Sequence, residues 1–188
     1  RGLGDVYKRQ APTNKKKSKT KNTKKITKFI PETKIKLRDL TSNFGALAGL
    51  NAFDGAQAPF PAFNSSGASG GDYNFTALDK FTSATFSSGT MDLTMDNQLP
   101  IIVSATYELK SGGTVIGEFI FTDVAAGQIK TVSLNLAGKT FTNAMTVNLK
   151  EFITPGSSGS NVSINLDGSY MGVKVDIKNA KINSGVVK

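Results

Sequence analysis

Glu108 and Glu118 are the first residues whose type and spacing could do chemistry. Two carboxylates on one outer strand face, diagonal to each other, can act as acid and base on a glycoside. No cleft is suggested around them, and exposed strand glutamates are common, so they are read as surface charges. Asp92, Asp96, Asp123 and Asp167 fall at expected strand ends, where calcium can bridge loops. No DxDxDG loop is present, and Asp167-Gly168 reads as a turn, so no metal ligand is assigned. The loudest feature is a lysine run, KKKSKTKNTKK, in which Lys15, Lys16, Lys17, Lys19, Lys21, Lys24 and Lys25 could contact a polyanion. Each phosphate it neutralised would add salt-dependent affinity. Interleaved arginines and aromatics, which add bidentate contacts and base stacking, are missing. A solvated tail is the plainer reading, and a membrane-surface tether is a third.

The chain of 188 residues has no His and no Cys. That removes Ser-His-Asp relays, HExxH zinc sites, thiolate ligands and disulfide frameworks. Gly89, Gly113, Gly127 and Gly138 form no GxGxxG motif after a parallel strand, so no nucleotide cofactor is expected. No catalytic, cofactor-binding or metal-ligating residue is assigned. The sequons at Asn64, Asn74 and Asn161 match chance in a chain this rich in Asn, Ser and Thr. Phe53, Phe60, Phe63, Phe119 and Phe121 could line a lipid groove, but ordinary core is the simpler reading. Apolar runs are far short of the roughly 20 residues of a membrane helix.

These residues need elements to hold them. Residues 1–38 carry 14 Lys and Arg against 2 Asp and Glu, and residues 39–188 carry 9 against 12. The basicity therefore sits in one leading segment. Residues 11–33 read as a basic disordered tail. Residues 34–80 read as an edge strand over Lys34–Leu40, then an irregular packed segment rich in Gly, Pro and Phe. Pro59 and Pro61 forbid helix there, Phe53, Phe60 and Phe63 plug a neighbouring apolar face, and a helical turn fits near Ser42–Leu50.

From Phe81 the period becomes two: Met91, Leu93 and Met95, then Val103, Ala105, Tyr107 and Leu109, then Val132, Leu134 and Leu136. Met145, Val147 and Leu149 follow, with Val162, Ile164 and Leu166, and Val173, Val175 and Ile177. Such alternation predicts an all-β fold over residues 81–188, an antiparallel sandwich of the immunoglobulin-like kind. One hairpin can be set in register. A loop of Ser111, Gly112 and Gly113 pairs Leu109 with Val115, Tyr107 with Gly117 and Ala105 with Phe119. A two-residue loop instead sets Tyr107 against Glu118 and buries a carboxylate, so the longer loop is expected.

The stretch SGTMDLTMDNQLP (Ser88–Pro100), then TYELKSGGTVIGEF, Ala125-Ala126-Gly127 and LAGKT (Leu136–Thr140), resembles uncharacterised β-rich envelope proteins of diderm bacteria. It is distantly similar to the LEA14-like, immunoglobulin-type domain. The resemblance covers Phe81–Lys188, rests on turn signals, and carries no catalytic set. It implies a slice of a longer protein placed in a bacterial cell envelope or outside the cell. Residues 1–10, RGLGDVYKRQ, are similar to a translated sequencing adapter, since GAT-GTG-TAT-AAG-AGA-CAG encodes Asp5–Gln10. The expected function is a non-catalytic structural or adhesive module whose partners are sister modules or cell-surface glycans, with nucleic acid reached only through the basic tail. A capsid-like protein with a nucleic-acid-binding arm is the alternative, and a lipid-groove protein a weaker one.

Overall fold

The computed structural model describes residues 25–65, 67–76 and 81–187. The lysines from Lys15 to Lys24 and the adapter-like prefix lie outside them. Among the described residues the strands are β1 (Lys25–Lys36), β2 (Gln57–Pro59), β3 (Phe63–Asn64), β4 (Asp72–Thr76), β5 (Phe81–Asn97) and β6 (Val103–Ser111). They continue as β7 (Thr114–Val124), β8 (Ile129–Asn135), β9 (Thr140–Thr142), β10 (Ala144–Thr154), β11 (Asn161–Ser163) and β12 (Tyr170–Val187). One short helix, α1 (Leu37–Asn43), and a 3-10 helix over Gly45–Phe53 interrupt them.

The first sheet runs β1-β12-β5-β8, with β9 also pairing with β5, and the second runs β3-β10-β6-β7, with β4 pairing with β10. All ladders are antiparallel. The all-β antiparallel sandwich expected from the alternation is therefore the fold. Five strands lie in each sheet, where an immunoglobulin constant-type sandwich holds four and three, so the topology does not carry the immunoglobulin part of the expectation.

The inward side chains are the ones that the period of two selects. Met91, Leu93, Met95, Val103, Tyr107, Leu109, Phe119, Phe121, Met145, Leu149 and Ile177 are buried in one continuous core. Each such side chain contributes about 1.5–3 kcal/mol on burial. Tyr107 meets Phe121 edge-on at 5.9 Å, and Phe86 tilts against Phe141 at 5.0 Å, the offset geometries that aromatic quadrupoles favour. One end of the sandwich is closed by α1 and the 3-10 helix, which bury Leu37, Leu40, Phe44, Leu47 and Leu50. Phe44 stacks on Phe152 at 6.0 Å and touches Phe63 at 5.2 Å.

Several expectations need correction. The basic segment becomes strand at Lys25, before residue 34, because Ile30 and Ile35 have a core to pack against once β12 is alongside. β1 tolerates Pro31, which lacks an N–H, because it is an edge strand with a register shift between Ile30 and Thr33. Leu37–Leu40 is helix and not strand: the Lys36 backbone N–H donates to Asp39 Oδ2 at 2.9 Å, and the first-turn N–H groups of Leu37 and Arg38 donate to the Ser169 and Leu166 carbonyls at 2.8 and 2.9 Å. Within residues 34–80, β3 and β4 join the second sheet, while β2 pairs with β11 in a separate two-stranded ladder. Phe60 and Phe63 pack as expected, whereas Phe53 is 44% exposed.

The β6–β7 hairpin departs from both simple registers. Its loop is the two-residue Gly112-Gly113 turn, with φ of 56° and 84° that suit glycine, and it pairs Ser111 with Thr114 and Lys110 with Val115. A bulge at Ile116 then shifts the ladder, so Leu109 meets Gly117, Glu108 meets Glu118 and Tyr107 meets Phe119. The Ile116 carbonyl accepts from Lys139 Nζ at 2.6 Å, and the Thr122 carbonyl accepts from Lys130 Nζ. The bulge keeps Glu118 out of the core, which was the reason for rejecting the short loop.

Candidate functional site

The ionisable side chains gather in three places. On the outer face of the second sheet Glu108 and Glu118 stand directly opposite each other rather than diagonally. The bulge of β10 between Leu149 and Glu151 presents Lys150 to both, at 3.0 Å from Glu108 and 2.7 Å from Glu118. Lys110 approaches Glu108 at 3.5 Å. The hydrogen bond from Lys150 holds the Glu108 carboxyl below its ordinary range, although burial opposes it, and the hydrogen bonds that Lys150 donates to Glu118 and Glu108 push its ammonium up. A general acid needs the opposite displacement. The glutamates singled out in the sequence are thus brought together, but as a charge knot around one lysine.

A second cluster joins the helical end to the β11–β12 loop. Arg38 donates two hydrogen bonds to Asp167, at 3.0 and 2.6 Å, and one to Asp54 at 3.3 Å. Asp54 also accepts the Leu166 backbone N–H at 3.0 Å. All three side chains are about half exposed, so this clasp fixes geometry more than it adds energy. Asp123 and Asp96 are engaged locally, Asp123 with Ser104 at 3.2 Å and Asp96 with Gln98 at 2.7 Å. Among the described residues no three carboxylates converge into a group able to hold a metal ion.

The third place is the outer face of the first sheet. Register sets Asp176, Asp92 and Ser133 in one row, Lys174, Thr94 and Thr131 in the next, and Lys178, Thr90 and Asn135 in another. Asp92 lies in the middle of β5 and not at a strand end, and only 8% of it is exposed. It accepts from Ser133 Oγ at 2.6 Å and from Lys178 Nζ at 2.7 Å. Burial disfavours its charge, but those two hydrogen bonds outweigh burial and keep its carboxyl below the usual range. Thr94 and Thr131 share a hydroxyl hydrogen bond of 2.9 Å, and Thr85 and Thr140 share one of 2.7 Å. This is the Ser/Thr/Asn-rich wet face that the alternation requires.

Beyond that row the two central strands are deformed. The β5–β12 register slips between Lys178 and Lys181, where Asn179 takes a left-handed φ of 52°. Opposite it Gly89 has φ 129°, and a Cβ there would sit 2.5 Å from Ala180 Cα. The deformation opens a groove of about 670 Å³, lined by Ser88, Gly89, Thr90, Ser133, Asn135, Asn179 and Lys181. Sequence reasoning missed this groove, although a lone glycine inside a strand pattern is the signal for such a bulge. Lys25, the last residue of the polyanion candidate set, pairs through its backbone with Lys181.

The phenylalanines do not line one groove. Phe60, Phe119 and Phe121 are at most 2% exposed within the core. The apolar crevice between Ile30, Tyr73, Val147 and Val175 holds only about 40 Å³. Among the described residues no helix is long and apolar enough to cross a membrane.

No family model and no curated protein matches the chain. Solved structures to which it is similar include that of the Gx strain of infectious bursal disease virus, at 12% identity and a TM-score of 0.29, covering 99% of this chain. The chain spans about half, 47%, of the length of that protein. It is also similar to the C-terminal domain of EclA, a sugar-binding protein, at 10% identity and a TM-score of 0.25, covering 96% of this chain and 99% of that one. The Mud crab tombus-like virus structure matches at 7% identity and a TM-score of 0.32, covering 100% of this chain and 96% of that one.

Proposed function

We propose that the chain is a non-catalytic β-sandwich module that works by contact, held in a bacterial envelope or secreted protein, with glycans or sister modules as partners. One observation carries the reading: the outer face of the first sheet offers hydroxyls and amides around an open groove, while the carboxylates near it are already tied to lysines. A surface of that kind recognises ligands by hydrogen bonding and leaves no free acid–base pair to turn them over. The test is retention of the purified chain on a panel of immobilised polysaccharides, alongside product analysis of the same glycans. Retention without cleavage is expected. Release of shortened products, or no retention on any member together with no self-association, ends the reading.

The second reading is a capsid-like protein with a basic arm. What favours it is that in the sequence the lysine run leads without a break into the edge strand β1, so a basic segment precedes a sheet margin. Light scattering of the chain with and without single-stranded nucleic acid separates the two readings. Particles formed with nucleic acid, and lost when residues 11–24 are deleted, support the capsid-like one. The lipid-groove reading draws little from the apolar crevice between Ile30, Tyr73, Val147 and Val175, which holds about 40 Å³.

A further inference from the structure

We propose that the groove around the Gly89–Asn179 bulge binds an acidic glycan, with Lys181 taking the carboxylate of a uronate unit and the surrounding hydroxyls and amides taking its ring hydroxyls. This deepens the module reading above and rests on it.

The lining chemistry selects the ligand class. Ser88 and Thr90 supply hydroxyls that donate and accept, Ser133, whose proton goes to Asp92, supplies an acceptor, and Asn179 and Asn135 supply amides, the Asn135 oxygen also holding the Ala137 N–H. Vicinal hydroxyls on a sugar are donors and acceptors a few ångströms apart, so such a set can pair them. Lys181 is the one charge in the lining. Along β12, Lys174 has Asp176 at 3.8 Å and Lys178 has Asp92 at 2.7 Å. Among the described residues Lys181 has no such carboxylate, and it lines the groove as its one cation. Asp92, whose partner Ser133 lines the groove, is engaged by Lys178 and Ser133 and does not compete. A uronate supplies what the lining lacks: one negative charge amid hydroxyls.

The groove is also built, not incidental. Its floor is Gly89, where a side chain would collide with Ala180, and its wall is Asn179, a residue type that tolerates the left-handed conformation and keeps an amide at the rim. Ser87 Oγ donates to the Lys181 carbonyl at 3.2 Å, and the Leu136 N–H donates to the Gly89 carbonyl at 3.0 Å, so the deformed backbone is hydrogen-bonded in place. Nucleic acid is the other polyanion, but no aromatic or arginine lines the groove to stack a base or fork a phosphate.

The experiment is calorimetric titration of the whole chain with a tetragalacturonate, its carboxyl-reduced neutral counterpart and a short oligouridylate, at two salt concentrations. Lys181→Gln and Asn179→Gly are compared with wild type, and Asn179→Gly keeps the left-handed backbone while removing the amide. Both variants are expected to melt with the wild type. Binding of the uronate, weakened about tenfold or more by Lys181→Gln and by carboxyl reduction, supports the proposal. Weakening by Asn179→Gly adds to that support. Equal affinity for the neutral counterpart overturns the acidic part, and tighter, Lys181-dependent binding of oligouridylate overturns it in favour of nucleic acid. Uronate binding that ignores both substitutions and vanishes on deleting residues 11–24 assigns the effect to the tail and overturns the groove. Absence of uronate binding overturns the proposal alone if the chain is still retained on another polysaccharide, and the module reading falls only if that retention is also missing.

Discussion

The two outer faces of this sandwich obey the same alternation and end in opposite states. On the second sheet the charges consume one another: Glu108, Glu118, Lys110 and Lys150 form a closed knot, with Ile120 and Val115 bare at 60% and 47% exposure beside it. On the first sheet a buried carboxylate, Asp92, is paired with the half-exposed Lys178 among hydroxyls, and polar side chains beyond it line a groove. Both faces contain bulges. The one at Ile116 restores an inward pattern, whereas the one at Asn179 creates a surface. Burial pattern alone therefore does not separate a face that is finished from a face that is free to bind; the pairing of its charges does.

The largest effect should come from closing the groove. Gly89→Ala places a Cβ against Ala180 and forces a strained φ, and is expected to cost about 2–4 kcal/mol in chemical denaturation. Gly113→Ala in the hairpin turn meets nothing within 4 Å, so only its φ of 84° is strained and about 1 kcal/mol is expected. Equal losses at the two glycines would dissolve the contrast between groove and turn.

Next comes Asp92. Asp92→Asn should cost about 1.5–3 kcal/mol at neutral pH, the range for a hydrogen-bonded charge. Because the folded carboxyl titrates below its unfolded value, its stabilisation is complete above the unfolded pKa and drains away as pH falls through the folded one. Melting curves of wild type and Asp92→Asn should thus converge in strong acid. Lys178, raised by the same pair, contributes below its unfolded pKa and loses that contribution as pH climbs through the folded value.

A smaller loss is expected on the other face. Lys150→Met leaves two glutamates directly opposed, a modest destabilisation that added salt should shrink. A salt-independent loss would mean that Lys150 acts through packing instead of charge. Between the faces, Tyr107→Phe should change stability by less than about 0.5 kcal/mol, because the buried hydroxyl donates to the Met95 sulfur at 3.8 Å and sulfur is a weak acceptor.

The inward rows were legible because a period of two leaves little freedom once one face is apolar. Hairpin register was not. The expected pairing and the observed ladder from Leu109 to Ala105 differ by two residues, so both send Tyr107 and Phe119 inward and the apolar argument cannot choose between them. Asp92 was misread because its lysine lies 86 residues away, beyond any local pattern. The reach of β1 was misread for the same reason, since the lysines of that segment outweigh its isoleucines until β12 supplies something to pack on. Glu108 and Glu118 were placed on the correct face, but the lysine that quenches them enters through a bulge in β10 that the sequence does not announce.

The ammonium groups of Lys130 and Lys139 occupy carbonyls of β7, the outermost strand of its sheet. An extended peptide drifting past that margin finds acceptors already spoken for and two cations in its way. Templated growth into filaments is closed off there, and molecules crowded side by side would have to meet through their broad surfaces.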